Sequence, residues 1–582
     1  MVQAYGNNLH LGRVVGTNTP VVLPASARKQ HVYVCGGTGV GKSKLLEHMI
    51  RRDILEWSRT KCGLILLDPH GSIFDNLIAW LADPRNKMDR PIIPIDLRSN
   101  RWAVSYNLLH QRPTVNTSVI VDNFVEAMAH VWGESGTTNT PLFARNARMV
   151  LRTLYEGHFT LSDVVHLMDS SGKQVRQAMS AKVTDPVAKR HWREVDQLSS
   201  RDFIDRMSST LNRLERFVGH ELFRAILGQP DESLDLYQAM EDGAIILVSL
   251  ATEEGKISEE NAHTFGTLLL SDLWTAAKMR RKANNPKPFY VYLDEFQEFI
   301  TPTIAKSLDQ ARGFGLHLTM SHQFPLQLKN SGEHGQRLYD SVMENASSKI
   351  IFRLQNIENL TPLAHSLFMG VLDPDEVKHR LYSTKVMGYA DEIQEDRSRS
   401  TTRGQGGASH SSSTRSEGEG GSERMNPDEE EMGSLSAWNQ CFSDASGSSE
   451  SWMNSETESV SQRHVLRPTM GRELSSVQFR SIDEQLFRAM QGLFRQQDRH
   501  YAVRMVGQQA PLFARTPDVR PCCPTPTEVK RYFDRQCKRW PFFLPLLEAQ
   551  HRIDARLTEL PKHLLEGASE EAPTARRMLK ES

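Results

Sequence analysis

Gly36-Gly37-Thr38-Gly39-Val40-Gly41-Lys42-Ser43 follows the apolar run His31-Val32-Tyr33-Val34-Cys35 and opens the helical pattern Leu45, Leu46, Met49, Ile50, Ile54. Strand, glycine loop and helix form the context that the pattern G-x-x-x-x-G-K-[ST] needs. Glycines let backbone N–H groups converge on phosphate oxygens, Lys42 reaches the β- and γ-phosphates, and Ser43 offers a hydroxyl to magnesium. Residues 36–43, with Lys44 beside them, are the expected cradle for a nucleoside triphosphate.

Phosphate loops serve many chemistries, so a second motif has to narrow the reading. Phe289-Tyr290-Val291-Tyr292-Leu293-Asp294-Glu295 is a β-branched and aromatic run that ends in two carboxylates. It reads as a buried strand. Asp294 is placed to hold the metal and Glu295 to orient and deprotonate an attacking water. A GTPase reading competes, because Asp68-Pro69-His70-Gly71 matches D-x-x-G and Asn86-Lys87-Met88-Asp89 matches N-K-x-D. Only about 15 residues separate the two, too few for the strands and helices that must lie between a γ-phosphate switch and a base-reading loop.

The 582 residues exceed what one core usually supports, and two or more domains are expected. Apolar content of 39% and charged content of 24% suit a soluble globular protein. The best apolar runs, Ala244 to Ala251 and Trp540 to Leu547, fall far short of a spanning helix, and no signal-peptide pattern is present, so a cytoplasmic location is expected. The six cysteines show no disulfide framework. Cys522, Cys523, Cys537 and His551 lack zinc-site spacing, and no structural metal is expected. A net charge of −1 excludes a globally basic nucleic-acid binder, so any DNA contact must be local.

Along the chain, Gly63 to Asp68 and Pro91 to Leu97 read as further strands about a helix at Phe74 to Leu81, the alternation of a parallel sheet. Residues 113–240 turn helical and read as an inserted all-α domain. The sheet resumes at Gly243 to Leu250, and after the helix Phe265 to Arg280 comes the Asp294 strand. Gly315 to Met320 is a further strand, with Ser321-His322-Gln323 at its end, where Gln323 is placed to touch the γ-phosphate or the lytic water. Later strands are expected at Ser348 to Leu354 and Thr384 to Tyr389. Residues 395–462, rich in Ser, Gly and Glu, cannot bury enough apolar area to offset ordering entropy and are expected to be a disordered loop within the motor. The helix Ile482 to Phe494 and the strand Tyr501 to Val506 follow. The capping box Thr525-Pro526-Thr527-Glu528 opens a helical extension over 521–582. The expected fold class is α/β: a RecA-like phosphate-loop motor over 1–112 and 241–520 with a mainly parallel central sheet.

With these residues placed, the chain resembles the HerA/FtsK superfamily of hexameric DNA-pumping ATPases, in particular the soluble motor of TraG/TraD-type coupling proteins of type IV secretion. Gly36 to Ser43, Leu67 to Gly71, Leu293-Asp294-Glu295-Phe296-Gln297, Ala311-Arg312-Gly313-Phe314-Gly315 leading to His322-Gln323, and Lys349 to Arg353 carry the resemblance. It implies ATP and Mg2+ as cofactors, with nucleotide held between subunits of a ring. It also implies an arginine finger supplied in trans, for which Arg312 stands in position and Arg353 is a second candidate. Gly313 stands where that family often has a lysine. Only residues 1–35 precede the phosphate loop, where membrane coupling proteins carry transmembrane helices and HerA a small β-barrel.

The resemblance further implies sequence-independent DNA binding by pore loops and the helical insertion. Basic candidates are Arg201, Arg206, Arg213 and Arg216, then Lys278, Arg280, Arg281 and Lys282. Partners implied are a homo-hexameric ring and type IV secretion, relaxosome or defence-system proteins. The expected activity is ATP-driven DNA translocation. The alternatives are a nucleotide-gated scaffold that recruits a nuclease or protein partner, and a motor acting on protein.

Overall fold

A computed structural model describes residues 7–86, 88–110, 115–131, 141–252, 257–280, 286–299, 301, 308–329, 335–403, 411–413, 421–422, 435–436, 444–446 and 454–578. Two compact units emerge, 1–372 with 482–582, and 373–481.

The first unit is built on an eleven-stranded sheet. Its strands in chain order are β1 (Leu9–Val14), β2 (Pro20–Leu23), β3 (Val32–Cys35), β4 (Gly63–Asp68) and β5 (Ile92–Asp96). After β6 (Trp102–Val104), which pairs outside this sheet, come β7 (Ile245–Ser249), β8 (Phe289–Leu293), β9 (Leu316–His322) and β10 (Ser348–Phe352). In the second unit lie β11 (Val377–Arg403), the short β12 (Ser411–Ser413), β13 (Gly421–Ser422), β14 (Leu435–Ser436) and β15 (Asp444–Ser446), and β16 (Asn454–Phe479). The first unit then closes its sheet with β17 (His500–Arg504) and β18 (Leu512–Arg515).

The strand order is β2-β1-β18-β17-β10-β3-β9-β8-β4-β7-β5. From β10 to β5 every pairing is parallel, and from β10 to β2 every pairing is antiparallel. The fold is thus α/β with a mostly parallel sheet, as expected. The antiparallel edge strands β1, β2 and β18 were not legible in the sequence.

Both faces of the parallel strands are buried, which is why β4, β7 and β8 read as unbroken apolar runs. Alternate residues feed two cores. Val34, Leu64, Leu66, Leu247 and Tyr292 pack against α2 (Lys42–Thr60, after the short α1, Ala25–Arg28) and α3 (Ser72–Ala82). Cys35, Ile65, Leu67, Val248 and Leu293 share the other core with the helices between β6 and β7 and with the helix Glu259–Met279. The helical insertion expected at 113–240, seen as helices from Thr117–Val131 to Leu236–Glu241, therefore covers one face of the sheet. The C-terminal helix Pro526–Arg539 opens on the expected capping box, with Thr525 and Glu528 bonded reciprocally. Among the described residues no helix is long and apolar enough to cross a membrane.

A buried ionic cluster locks β8 to α2. Arg28 donates to both Asp53 oxygens at 2.8 and 2.6 Å and to the Tyr292 hydroxyl at 2.9 Å. Tyr292 in turn donates to Asp53 at 2.6 Å, and the guanidinium stacks 3.5 Å from the Tyr290 ring centroid.

The second unit departs from expectation. Residues 395–403 and 454–462, expected to be disordered, extend the antiparallel ladder of β11 and β16, whose register runs from Val377↔Phe479 to Arg403↔Asn454. Main-chain pairing needs no apolar core, and these two stretches at the ends of the expected loop pair through the main chain. Most of 404–453, including Cys441, lies outside the described residues.

Removing one partner of a buried ion pair strands the other charge, which typically costs about 3–5 kcal/mol. Asp53→Ala is expected to lower unfolding stability by that order in a urea titration, and Tyr292→Phe by about 1 kcal/mol. A loss below about 1 kcal/mol for Asp53→Ala would show the cluster to be dispensable.

Candidate nucleotide site

The loop between β3 and α2 is shaped by glycines. Gly39 and Gly41 adopt φ of 76° and 112°, a region side chains disfavour. A Cβ at Gly36 would lie 2.5 Å from that of Phe352, so only glycine lets the loop pass the β10 strand. The loop is strapped from behind: Gly37 N–H donates to the Arg353 carbonyl at 3.0 Å and Arg499 N–H to the Val40 carbonyl at 2.8 Å. Lys42, buried, donates to the Gly36 and Gly37 carbonyls at 2.6 and 2.9 Å. Ser43 is half-buried at the helix start, while Lys44 is exposed and pairs with Glu47 at 2.8 Å.

Asp294 and Glu295 leave the end of β8, one strand removed from the loop, and β9 fills the gap. Cys35 stands opposite His322, and Leu293 opposite Met320. Gln323, the first residue past β9, therefore sits between the two motifs. Its side-chain Nε2 donates to Glu295 Oε1 at 3.3 Å and its side-chain Oε1 accepts from Thr38 Oγ1 at 3.4 Å. Gln297 donates to the other Glu295 oxygen at 2.9 Å. Glu295 itself has φ of 45°, an uncommon conformation for a non-glycine residue and one that clusters at functional positions.

Asp294 is almost fully buried and its Oδ1 has no hydrogen-bond partner among the described residues. Burial, then the nearby Asp68 and Glu295 carboxylates, pushes its pKa up to about 6. An orphaned carboxylate oxygen near a phosphate loop fits a divalent cation, and the glycine cradle with Lys42 at its mouth fits the phosphates that would accompany it. Two further groups line the floor without charge. Burial holds His322, packed on Tyr33 and Phe296, down at about 3, and raises the Cys35 thiol to about 12.

The rival GTP-type motifs have other employment. Asp68 caps α3 through the Ile73 and Phe74 N–H groups at 2.8 and 2.9 Å. Asn86 donates to the Trp80 carbonyl and Asp89 pairs with Arg539, while Lys87 lies outside the described residues.

Arg312 is not in this cluster. It is exposed on a turn just before β9, at the amino-terminal edge of the sheet. Gln323 stands at the opposite end of that seven-residue strand, about 20 Å away at ~3.3 Å per residue. His31 fixes the approach to Arg312: Leu318 N–H donates to Nδ1 at 3.1 Å, so Nε2 carries the proton and donates to the Leu308 carbonyl at 2.9 Å. Arg353 pairs with Asp498 at 2.8 Å and serves the loop through its backbone.

Of the basic candidates for DNA, Arg280 is a correction: buried, it donates to Glu241 at 2.6 Å and to the Lys287 carbonyl at 2.7 Å, so it faces no phosphate. Arg213 packs on Phe143, and Arg206 lies 4.0 Å from Glu194. Arg201 is exposed and Lys278 half-buried. Arg281, Lys282 and the Arg216 side chain lie outside the described residues. Sequence reading missed His31, Gln297 and Arg499. Only Gln297, two residues past Glu295, carried a local signal.

The raised Asp294 value has a sign. The folded chain binds the proton more tightly than the unfolded one, so this group's stabilising contribution is full below about 4 and is lost as pH rises through about 6. In magnesium- and nucleotide-free buffer, Asp294→Asn is expected to match wild type near pH 4 and to exceed it above pH 6 by up to about 2–3 kcal/mol, measured by urea unfolding. Equal stability at both pH values would contradict a buried, strained carboxylate.

The bacterial conjugative coupling protein TrwBdeltaN70, in its unbound monoclinic form, is 13% identical over 90% of this chain and 92% of that one, with a TM-score of 0.47. TrwB in complex with the ATP analogue ADPNP gives 12%, 90%, 92% and 0.46. VirB4 of Thermoanaerobacter pseudethanolicus gives 12% identity over 62% of this chain and 88% of that one, with a TM-score of 0.39. Among curated proteins none matches. A family profile described as the type IV secretion-system coupling protein DNA-binding domain matches residues 17–380, and this chain of 582 residues belongs to that family.

Proposed function

We propose that the chain is a cytoplasmic ATP-hydrolysing motor that assembles as a ring and moves DNA through its pore during conjugative transfer. The observation that supports this most is the line of hydrogen bonds from the phosphate loop to the second acid, Thr38 to Gln323 to Glu295. Such a line lets the state of the phosphates alter the position of a general base.

In this reading Lys42 and the loop N–H groups of residues 36–44 hold the phosphates, and Ser43 with Asp294 holds magnesium. Magnesium held there would supply neutralisation of phosphate charge. Glu295, fixed at both oxygens by Gln297 and Gln323, orients a water and takes its proton. Gln323 senses the γ-phosphate. Arg312, at the far end of β9, cannot serve its own chain's site, which favours action on a neighbour's γ-phosphate in a ring. Arg201, Arg206 and the helical insertion contribute sequence-independent DNA contacts, which would weaken steeply with salt.

Glu295→Gln is expected to keep ATP affinity within about threefold while turnover falls by at least ~10²-fold, consistent with loss of a general base. Unchanged hydrolysis would overturn the proposed chemistry. Arg312→Ala alone should be equally slow. Mixed with Glu295→Gln chains it should regain part of its activity, because one of the two kinds of mixed interface, an Arg312→Ala site beside a Glu295→Gln neighbour, pairs an intact site with an intact finger. Coupled-enzyme ATPase assays on the two variants and their mixture read this directly, and an additive mixture would exclude action in trans.

A further inference from the structure

Among the described residues the ladder of β11 and β16 has one uncovered apolar face. Paired residues share a face and successive rows alternate. Following the register through its shifts at Val377/His379, Leu381/Tyr382 and Val386/Gly388 places Val377 with Phe479, Tyr382 with Leu474 and Val386 with Met470 on one side. Further out the same side carries Tyr389, Leu466, Ile393 and Val460. All are exposed, Tyr389 by 66%, Leu466 by 64% and Met470 by 60%. The opposite side is polar, with rows such as Ser383/Glu473 and Gln394/Arg463. A lone two-stranded ribbon is marginal in water, and a continuous apolar stripe of this length marks an interaction surface.

The charges on that side say what covers it. Numbering its rows outward from Val377/Phe479 as the first, Arg380 lies in the second, Arg472 in the fourth, Asp391 in the seventh and Glu395 in the ninth. Turning the stripe end for end about a point between the fifth row, Val386/Met470, and the sixth, Tyr389/Pro468, carries second onto ninth and fourth onto seventh. The rows of Arg380 and Arg472 then meet acidic rows, Tyr382/Leu474 meets Ile393/His464, and the tenth-row Arg397/Val460 meets the apolar Val377/Phe479. Asp391 already accepts from His464 of its own chain at 3.0 Å, and both remain exposed, so the carboxylate is open to a second donor.

We propose that two copies of this chain pair through this face, ribbon against ribbon in antiparallel sense, about a two-fold axis between Val386 and Tyr389. A self-complementary patch is what an isologous contact requires. The ten rows, from Val377 to Arg397, extend about 65–70 Å at ~3.3 Å per residue and are ~10 Å wide, so each ribbon covers on the order of 700 Å2, close to the ~800 Å2 per partner of a standard interface. The right-handed strand twist makes the paired ribbons wind about each other. This contact is isologous, whereas a ring is built from head-to-tail contacts, so it stands or falls separately from the motor reading.

The test uses two charge-reversed forms of the full chain, Arg380→Glu with Arg472→Glu and Asp391→Lys with Glu395→Lys, followed by sedimentation in nucleotide-free buffer. Wild type is expected to be dimeric at micromolar concentration, and each variant alone to dimerise at least tenfold more weakly, because all four rows then carry one sign. Mixed one to one, the variants should pair as wild type does, since every reversed row meets its opposite. Recovery on mixing also shows that both variants are folded. The register is read by cross-linking Tyr382→Cys chains to Ile393→Cys chains, with Lys385→Cys on the polar side as the position that should not cross-link. A wild-type monomer, variants that pair unchanged, a mixture that stays apart, or equal cross-linking through Lys385→Cys would each overturn the proposal.

Discussion

Parallel pairing of β3, β9 and β8 is the constraint on which the candidate site rests. The phosphate loop ends β3 and the two acids end β8, about 250 residues later in the chain, and β9 between them sets their separation at two strand spacings. Because all three strands run the same way, their carboxyl ends converge on one edge, the edge where ligands gather in open α/β sheets. That edge is held in register by side chains remote from it. Arg28 and Asp53 tie α2, which continues from the loop, to Tyr292, two residues before Asp294. The backbone bond from Asp294 N–H to the Leu67 carbonyl secures the same strand end on the other side.

Electrostatics at this edge follow from what is dry and what is paired. Lys42 is satisfied by two carbonyls of its own loop, an arrangement that phosphate oxygens can replace without a new buried cation. Asp294 Oδ1 has no such partner, and the raised pKa of this carboxylate records the cost of burying it near two others. Glu295, one residue on, is instead gripped by two amides. Neutral His322 and Cys35 keep the floor free of further charge. Adjacent acids in one short stretch thus have distinct environments, one suited to a cation and one to a proton.

The two ends of the sheet carry different duties. Arg312 and its His31 brace lie at the amino-terminal edge, on the far side of a strand that is buried along its whole length. The arginine and the carboxylates therefore lie at opposite ends of the parallel strands. The ribbon of the second unit is proposed to make a contact of the opposite symmetry, because the Arg380 and Arg472 rows meet the Glu395 and Asp391 rows on reversal.

How much of this was legible depends on the range of the forces involved. The phosphate loop, the α2 stripe, the buried runs of β4, β7 and β8 and the Thr525–Glu528 cap are local matters of glycine freedom, apolar period and short hydrogen bonds, and they stand where the residues indicate. The edge strands β1, β2 and β18 were illegible because they are short and draw their order from neighbours distant in the chain, as Arg13↔Arg515 illustrates. Arg280 read as a surface cation because nothing adjacent in sequence announces Glu241 or the Lys287 carbonyl. Residues 395–403 and 454–462 read as too polar to order, since composition reports apolar burial and not main-chain pairing. By itself, then, the sequence determined the chemical groups and the elements that carry them, because those depend on spacings of a few residues. Only the tertiary structure decided that β9 lies between the two motifs, that Glu295 turns into a left-handed conformation and that Arg312 lies at the opposite end of β9 from Gln323, because these follow from strand order and packing between segments hundreds of residues apart.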